Sequence, residues 1–275
     1  MIIKVVTGVI LSAAIIAAIV LAPSPVLAGI IAVIFGMAAW EFAALAKGRR
    51  IDSAMALIGS VSVIVVSALL GDSEWLFPVV QTVFVAGMLG LIVVLLTPHP
   101  IENAGHRAAM VVTAIVYVGV AGAICVRMIK VPDEVAMVGR WAVLTAGVIT
   151  WLNDTMAYFG GKLFGRSKMY PAISPNKTWA GSISGMIGSI GGVFAIRAIF
   201  GIDYPWLPLL GLGIVGGVLG QLGDLAESMF KRSAGVKDSG NLLPGHGGML
   251  DRIDAFLFVA PITWLWLFVW FPVGL

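Results

Sequence analysis

Residues 76–96 read LFPVVQTVFVAGMLGLIVVLL, a run without one charged side chain. As an α-helix rising 1.5 Å per residue it matches the ~30 Å hydrocarbon core of a bilayer. Hydrocarbon offers the backbone no hydrogen-bond partner, so such a segment must satisfy its own N–H and C=O groups as a helix. Comparable runs recur on both sides of it. Spans are expected near 4–21, 26–45, 54–70, 76–96, 108–128, 139–160, 179–200, 207–230 and 252–273. Pro23 and Pro25, the polar Gly71-Asp72-Ser73-Glu74, and Pro98 and Pro100 fall between spans as breakers. The chain is 60% hydrophobic and 11% charged, against about a quarter charged in soluble domains. The reading is an all-α, polytopic integral membrane protein of about nine transmembrane helices. No stretch is polar enough for a soluble domain, so residues 1–275 form one membrane domain, with an N-terminal helical part over 1–130 and a second over 139–275.

Lys4, the apolar run behind it and Pro25-Val26-Leu27-Ala28 have the outline of a signal peptide. A single Lys and an apolar segment following at once favour an uncleaved first span instead. Cys125 has no second cysteine to pair with, and a net charge of +3 is too small to imply nucleic acid. Basic residues set orientation. With the N-terminus cytoplasmic, only Arg127, Lys130, Arg140 and Arg197 of the 17 Lys and Arg fall on the far side. Three of these exceptions sit near 127–140, where Arg127 and Lys130 can snorkel from a helix end. The polar loops 161–178 and 231–250 then share the cytoplasmic side.

The first half is chemically quiet. Glu41, late in span two, reads as an interfacial carboxylate paired with Lys47 or Arg49, and His99 and His106 have no ligand pattern. In the second half Asp154 interrupts an apolar run, Asp224 and Glu227 lie in the eighth span, and Asp251 and Asp254 open the ninth. Carboxylates in hydrocarbon are costly and mark a pathway, a partner or a metal. Each of the two pairs is three residues apart and so shares a helix face. Oxygen donors of this kind suit Mg²⁺, which shares substrate phosphates; ion pairing with Lys231, Arg232 or Arg252 is the alternative. Residues 244–248, Pro-Gly-His-Gly-Gly, let backbone amides approach an anion ahead of a helix start near Asp251. Ser174-Pro175-Asn176-Lys177-Thr178 places a cation and two hydroxyls just before the seventh span.

Residues 228–254, SMFKRSAGVKDSGNLLPGHGGMLDRID, resemble the long signature of the phosphatidate cytidylyltransferases. The matching positions are Ser228, Lys231-Arg232, Lys237-Asp238, Pro244, His246-Gly247-Gly248, Asp251-Arg252 and Asp254. Upstream, Asp154 to Tyr158, Gly160, Gly161, Lys162, Gly165 and Ser174 to Thr178 are similar to the family too, so the resemblance covers roughly 150–255. One departure is Ala180, where the family pattern leads one to expect an acidic residue. The resemblance implies transfer of the cytidylyl group of CTP to phosphatidate, with Mg²⁺ and room for a second metal ion. It implies catalytic roles for Asp224, Lys237, Asp238, His246, Asp251 and Arg252. It implies substrate contacts from Asp154, Lys162, Ser174, Asn176, Lys177, Lys231, Arg232, Gly247 and Gly248. The metal ligands would come from Asp224, Glu227, Asp251 and Asp254. Expected partners are CTP, phosphatidate and the bilayer of the inner (plasma) membrane, with the site facing the cytoplasm and no nucleic acid. Gly181-x-x-x-Gly185 and Gly213-x-x-x-Gly217 suit close helix approach or a homodimer contact. Another lipid acceptor, a lipid kinase or a proton-coupled transporter are the rival functions.

Overall fold

The computed structural model describes residues 13–70, 75–131, 136–242 and 247–272. They group into two compact units: Met1–Val131 with Ser233–Ile253, and Pro132–Arg232 with Asp254–Leu275. The assignment of Ser233–Ile253 to the first unit is not readable from sequence order.

In the first unit a helical stretch over residues 13–21 precedes α1 (Ser24–Ala44), α2 (Arg50–Leu69), α3 (Leu76–Leu96) and α4 (Ile101–Ile129). Within α4, Ile115–Gly119 forms a π turn, and the Ser60 hydroxyl of α2 donates to the Ala114 carbonyl that opens it, at 3.4 Å. Small residues set the spacing: a Cβ on Gly119 would stand 2.9 Å from the Ser60 backbone, and one on Gly122 would meet Ile64 and Phe35. α3 turns Phe77, Phe84, Leu91 and Leu95 outward, which water would not favour and lipid does.

Two charged features order this unit. Asp52, in the first turn of α2, accepts the Arg49 N–H at 2.8 Å and both Nε (2.7 Å) and Nη2 (2.9 Å) of Arg107. Both side chains are 1% exposed, so Arg107 is a buried structural cation rather than a loop charge. Arg127 and Lys130 donate to the Leu70 carbonyl at 3.2 and 3.0 Å, and Lys130 also to Ala68. They satisfy carbonyls that the end of α2 leaves without intrahelical partners. These two exceptions to the charge rule therefore have a local role.

The second unit contains α5 (Ala136–Phe164), a two-stranded antiparallel hairpin of β1 (Lys168–Tyr170) and β2 (Ser174–Thr178), α6 (Trp179–Phe200), α7 (Trp206–Ser233) and α9 (Phe256–Trp270). The short α8 (Leu250–Ile253) lies in the first unit. The hairpin lies within the polar 161–178 loop of the sequence reading. Thr178 ends β2 and caps α6, its hydroxyl accepting the Gly181 N–H at 3.1 Å. Gly201, at φ 62°, closes α6 in the left-handed conformation that glycine adopts without strain. Both glycine patterns expected from the sequence are used inside the unit. A Cβ on Gly185 would come within 2.9 Å of the Asn153 carbonyl of α5, and one on Gly213 within 2.8 Å of Ile190 on α6.

Among the described residues six helices are long and apolar enough to cross a membrane, and residues 4–12 of the first expected span lie outside the described residues. The protein is thus a multi-pass membrane protein, with the count of nine unestablished. α5 is long enough but carries Arg140, Asn153, Asp154 and Lys162. The α9 helix is nine residues plus a six-residue π turn, about 22 Å at the helical rise, short of the ~30 Å core.

Candidate active site

The chemistry of the second unit gathers where α5, the hairpin, α6 and α7 meet. The small residues on α6 let α5 approach within backbone contact, and the buried Asn153 amide crosslinks the three helices. It donates to the Ser189 hydroxyl of α6 at 2.9 Å and to the Gly217 carbonyl of α7 at 3.0 Å. Directly beside this crosslink opens a cavity of about 520 Å³. Asp154, Tyr158 and Lys162 line it from α5, Asn176 and Lys177 from the hairpin, Ser182 from α6, and Gln221 and Asp224 from α7. Asp154, Tyr158 and Lys162 share a face because they are four residues apart; Gln221 and Asp224, three apart, share another. The walls are therefore set by helical periodicity, and the polar rim by the hairpin that delivers Lys177.

Lys177 Nζ stands 2.7 Å from Asp224 Oδ2, with the side chains 24% and 30% exposed. The Ser228 hydroxyl, one turn on, donates to Asp224 Oδ1 at 3.3 Å. Ser182 and Gln221 bond each other twice across α6 and α7; the Gln221 amide donates to the Ser182 carbonyl at 2.9 Å and the Ser182 hydroxyl to Gln221 Oε1. Asp254 lies in the turn before α9, against α7: a Cβ on Gly223 would be 2.9 Å from the Asp254 carbonyl. Its Oδ1 accepts the Ala255 N–H at 2.8 Å.

Other predicted residues of this unit have different surroundings. Glu227 is 0% exposed and pairs with Lys231 one turn on along α7, the ion-pair alternative left open by the sequence. Arg232 is exposed and donates to the Ile173 carbonyl at 3.4 Å. Ser174 sits in β2 opposite Tyr170.

In the first unit, Asp251 gathers bonds from Ser239 and Gly248. Its Oδ2 accepts the Ser239 N–H (2.9 Å), the Ser239 hydroxyl (3.0 Å) and the Gly248 N–H (2.8 Å). Gly247 has φ 79°, and a Cβ there would lie 2.8 Å from Asp251 Oδ2. Glycine is therefore required twice over, by backbone conformation and by the carboxylate. Lys237, Asp238 and Arg252 are exposed. His246 lies outside the described residues.

Among the described residues no group of three or more His, Cys, Asp and Glu side chains could by itself hold a metal ion. Mg²⁺ needs no such cage: it is commonly held by one or two carboxylates, with water and substrate phosphates completing its shell. Asp154 and Asp224, hard oxygen donors on a cavity rim, fit that mode.

Sequence reasoning passed over Ser182 and Gln221, although Gln221 stands three residues before Asp224 in an apolar span. It also misjudged Glu41. That carboxylate accepts the Ser239 hydroxyl at 3.0 Å and the Leu250 N–H at 2.8 Å, partners 198 and 209 residues away.

The family model described as the cytidylyltransferase family matches residues 2–270. The chain belongs to the cytidylyltransferase family. It is 50% identical over 127 residues to a protein of Staphylococcus haemolyticus named phosphatidate cytidylyltransferase, covering 45% of this chain and 48% of that protein. A protein of the same name from Staphylococcus aureus strain COL is 48% identical over 127 residues, with the same coverage. Over these matches the chain spans about half the length of the relatives. A longer match, 37% identical over 210 residues, covers 75% of this chain and 76% of the Staphylococcus epidermidis protein of that name. Membership in this cytidylyltransferase family thus extends over both units, including the α1–α4 region where the sequence alone shows no motif.

Proposed function

We propose that this protein transfers the cytidylyl group of CTP to phosphatidate, forming CDP-diacylglycerol and pyrophosphate. The observation that carries the reading is the cavity in which Asp154, Lys162, Asn176, Lys177 and Asp224 converge, in a chain whose relatives are named for this activity. A phosphate oxygen of phosphatidate attacks the α-phosphorus of CTP. The new P–O bond forms as the bond to the β-phosphate oxygen breaks, and its electron pair leaves with pyrophosphate. Phosphatidate is ionised near neutral pH, so the attacking oxygen needs no general base. The difficulty is that both reactants are anions. Lys162 and Lys177 answer it by offsetting charge at the cavity rim, and the Asp224 contact keeps the Lys177 ammonium on that rim when phosphate is absent. Asn176, Ser182 and Gln221 supply neutral donors and acceptors that orient a polar ligand without adding charge. Mg²⁺ bound at Asp154 and Asp224 would screen the phosphate oxygens and stabilise charge developing on the leaving group.

The distribution of Lys and Arg supports a cytoplasmic site, where CTP is available, and the bacterial relatives support the plasma membrane. The test is formation of chloroform-soluble label from labelled CTP by purified protein with Mg²⁺. Product that depends on phosphatidate is expected. CTP turnover that phosphatidate does not stimulate would point to another lipid acceptor, and no product across a range of divalent cations would overturn the reading.

A further inference from the structure

A buried carboxylate in an apolar helix costs free energy unless hydrogen bonds offset its lost hydration. Glu41, 7% exposed near the end of α1, has those bonds, and both come from the segment that carries Asp251. Its Oε2 accepts the N–H of Leu250, the residue next to Asp251, at 2.8 Å, and the hydroxyl of Ser239 at 3.0 Å. The same hydroxyl lies 3.0 Å from Asp251 Oδ2. A serine hydroxyl has one proton; when Glu41 takes it, the Ser239 N–H still donates to Asp251 Oδ2 at 2.9 Å, so the one residue ties the two carboxylates together.

The glycines of the segment make room for this carboxylate. A Cβ on Gly248 would run into Glu41 Oε2 and Ser239 Oγ, and one on Gly240 into the Glu41 carboxyl group. Gly248 also donates its N–H to Asp251. The pocket around Glu41 and the bonds that aim Asp251 are therefore built from the same atoms.

We infer that Glu41 is a positioning residue for Asp251: through Ser239, Gly248 and Leu250 it holds the Asp251 carboxylate in the geometry the reaction uses. The kinetic consequence rests on the proposed activity and on the catalytic role that the resemblance implies for Asp251; the clamp itself is a property of the fold.

The test uses full-length purified protein in lipid nanodiscs, comparing wild type with Glu41→Ala, Glu41→Gln, Glu41→Asp, Ser239→Ala and the Glu41→Ala/Ser239→Ala double variant. Hydrogen exchange and steady-state kinetics are read on the same preparations. Exchange over 236–253 should rise about tenfold in Glu41→Ala, as local opening becomes cheaper, with α5–α7 unchanged. Its kcat should fall about a hundredfold, the order expected for an ångström of misplacement at a reacting site, with the KM for phosphatidate within about twofold of wild type. Glu41→Asp should recover part of both effects. The double variant should be no slower than the slower single variant, because the two residues act through one chain. Unchanged exchange over 236–253, a kcat within about threefold of wild type, or losses that simply multiply would each overturn the inference. If Glu41→Ala does not accumulate, Glu41→Gln and Ser239→Ala carry the same readouts. Wild-type protein that makes no lipid product, with exchange still rising in Glu41→Ala, would refute the proposed activity and leave the clamp standing.

Discussion

Replacing Arg107 by Ala should destabilise the protein by about 3–5 kcal/mol, the usual cost of stranding one member of a buried ion pair. Asp52 and Arg107 are each 1% exposed. The substitution removes two bonds into the Asp52 carboxylate and two to Thr97, from Arg107 Nη1 to its carbonyl at 2.8 Å and from Nη2 to its hydroxyl at 3.3 Å. Asp52 would keep the Arg49 N–H but no counter-charge of that geometry. A loss of about 4 kcal/mol is roughly a thousandfold in the folded ratio, a large part of the 5–15 kcal/mol that holds a typical protein together. The assay is reversible unfolding of α1–α4 by SDS titration in mixed micelles, followed by tryptophan fluorescence. Asp52→Leu/Arg107→Leu should recover most of the loss, because neither charge is then stranded. A cost below about 1 kcal/mol for Arg107→Ala, the range of exposed pairs, would refute the reasoning. So would a double variant as unstable as the single one.

Asp224→Asn, Asp251→Asn and Lys237→Ala should each lower turnover by about a hundredfold or more while leaving membrane insertion intact; near-wild-type rates in all three would remove the site assignment. Gly185→Leu should cost about 1–3 kcal/mol by forcing α6 off Asn153 and Ala157 of α5, visible as a lower unfolding midpoint; an unchanged midpoint would mean the helices are not in contact there. His99 is exposed, so His99→Ala should leave turnover within about twofold, and a large loss would place chemistry outside the cavity. A C-terminal tag should be reachable from outside the cell, and cytoplasmic labelling would refute an odd number of spans.

Much of the architecture was legible because bilayers impose a one-dimensional rule. A helix must be long and apolar, so runs such as 76–96 show themselves without any knowledge of their neighbours. The carboxylates of α7 were legible for the same reason: Asp224 and Glu227 stand out against an apolar background. What each does was less legible. Both lie on one face of α7, yet Asp224 opens on the cavity beside Lys177 while Glu227 is buried against Lys231. The two differ by most of a turn, and which neighbour each meets depends on α5, α6 and the hairpin. The partner of Arg107 was no more legible. A basic residue at a helix end counts as a loop charge until its bidentate contact with Asp52 is seen.

Apolar length, the position of breakers and the rarity of charge determined from sequence that this is a multi-pass helical membrane protein, because the hydrophobic effect and backbone satisfaction act on each segment alone. Spacing determined which polar residues share a face. The tertiary structure alone decided that Lys177 meets Asp224, that glycines on α6 and α7 are consumed in helix contacts, and that Glu41 reaches Ser239 and Leu250 across the chain. Those pairings depend on side chains brought together by packing, and hydrogen bonds a few ångströms long leave no periodic trace in a sequence where the partners stand some two hundred residues apart.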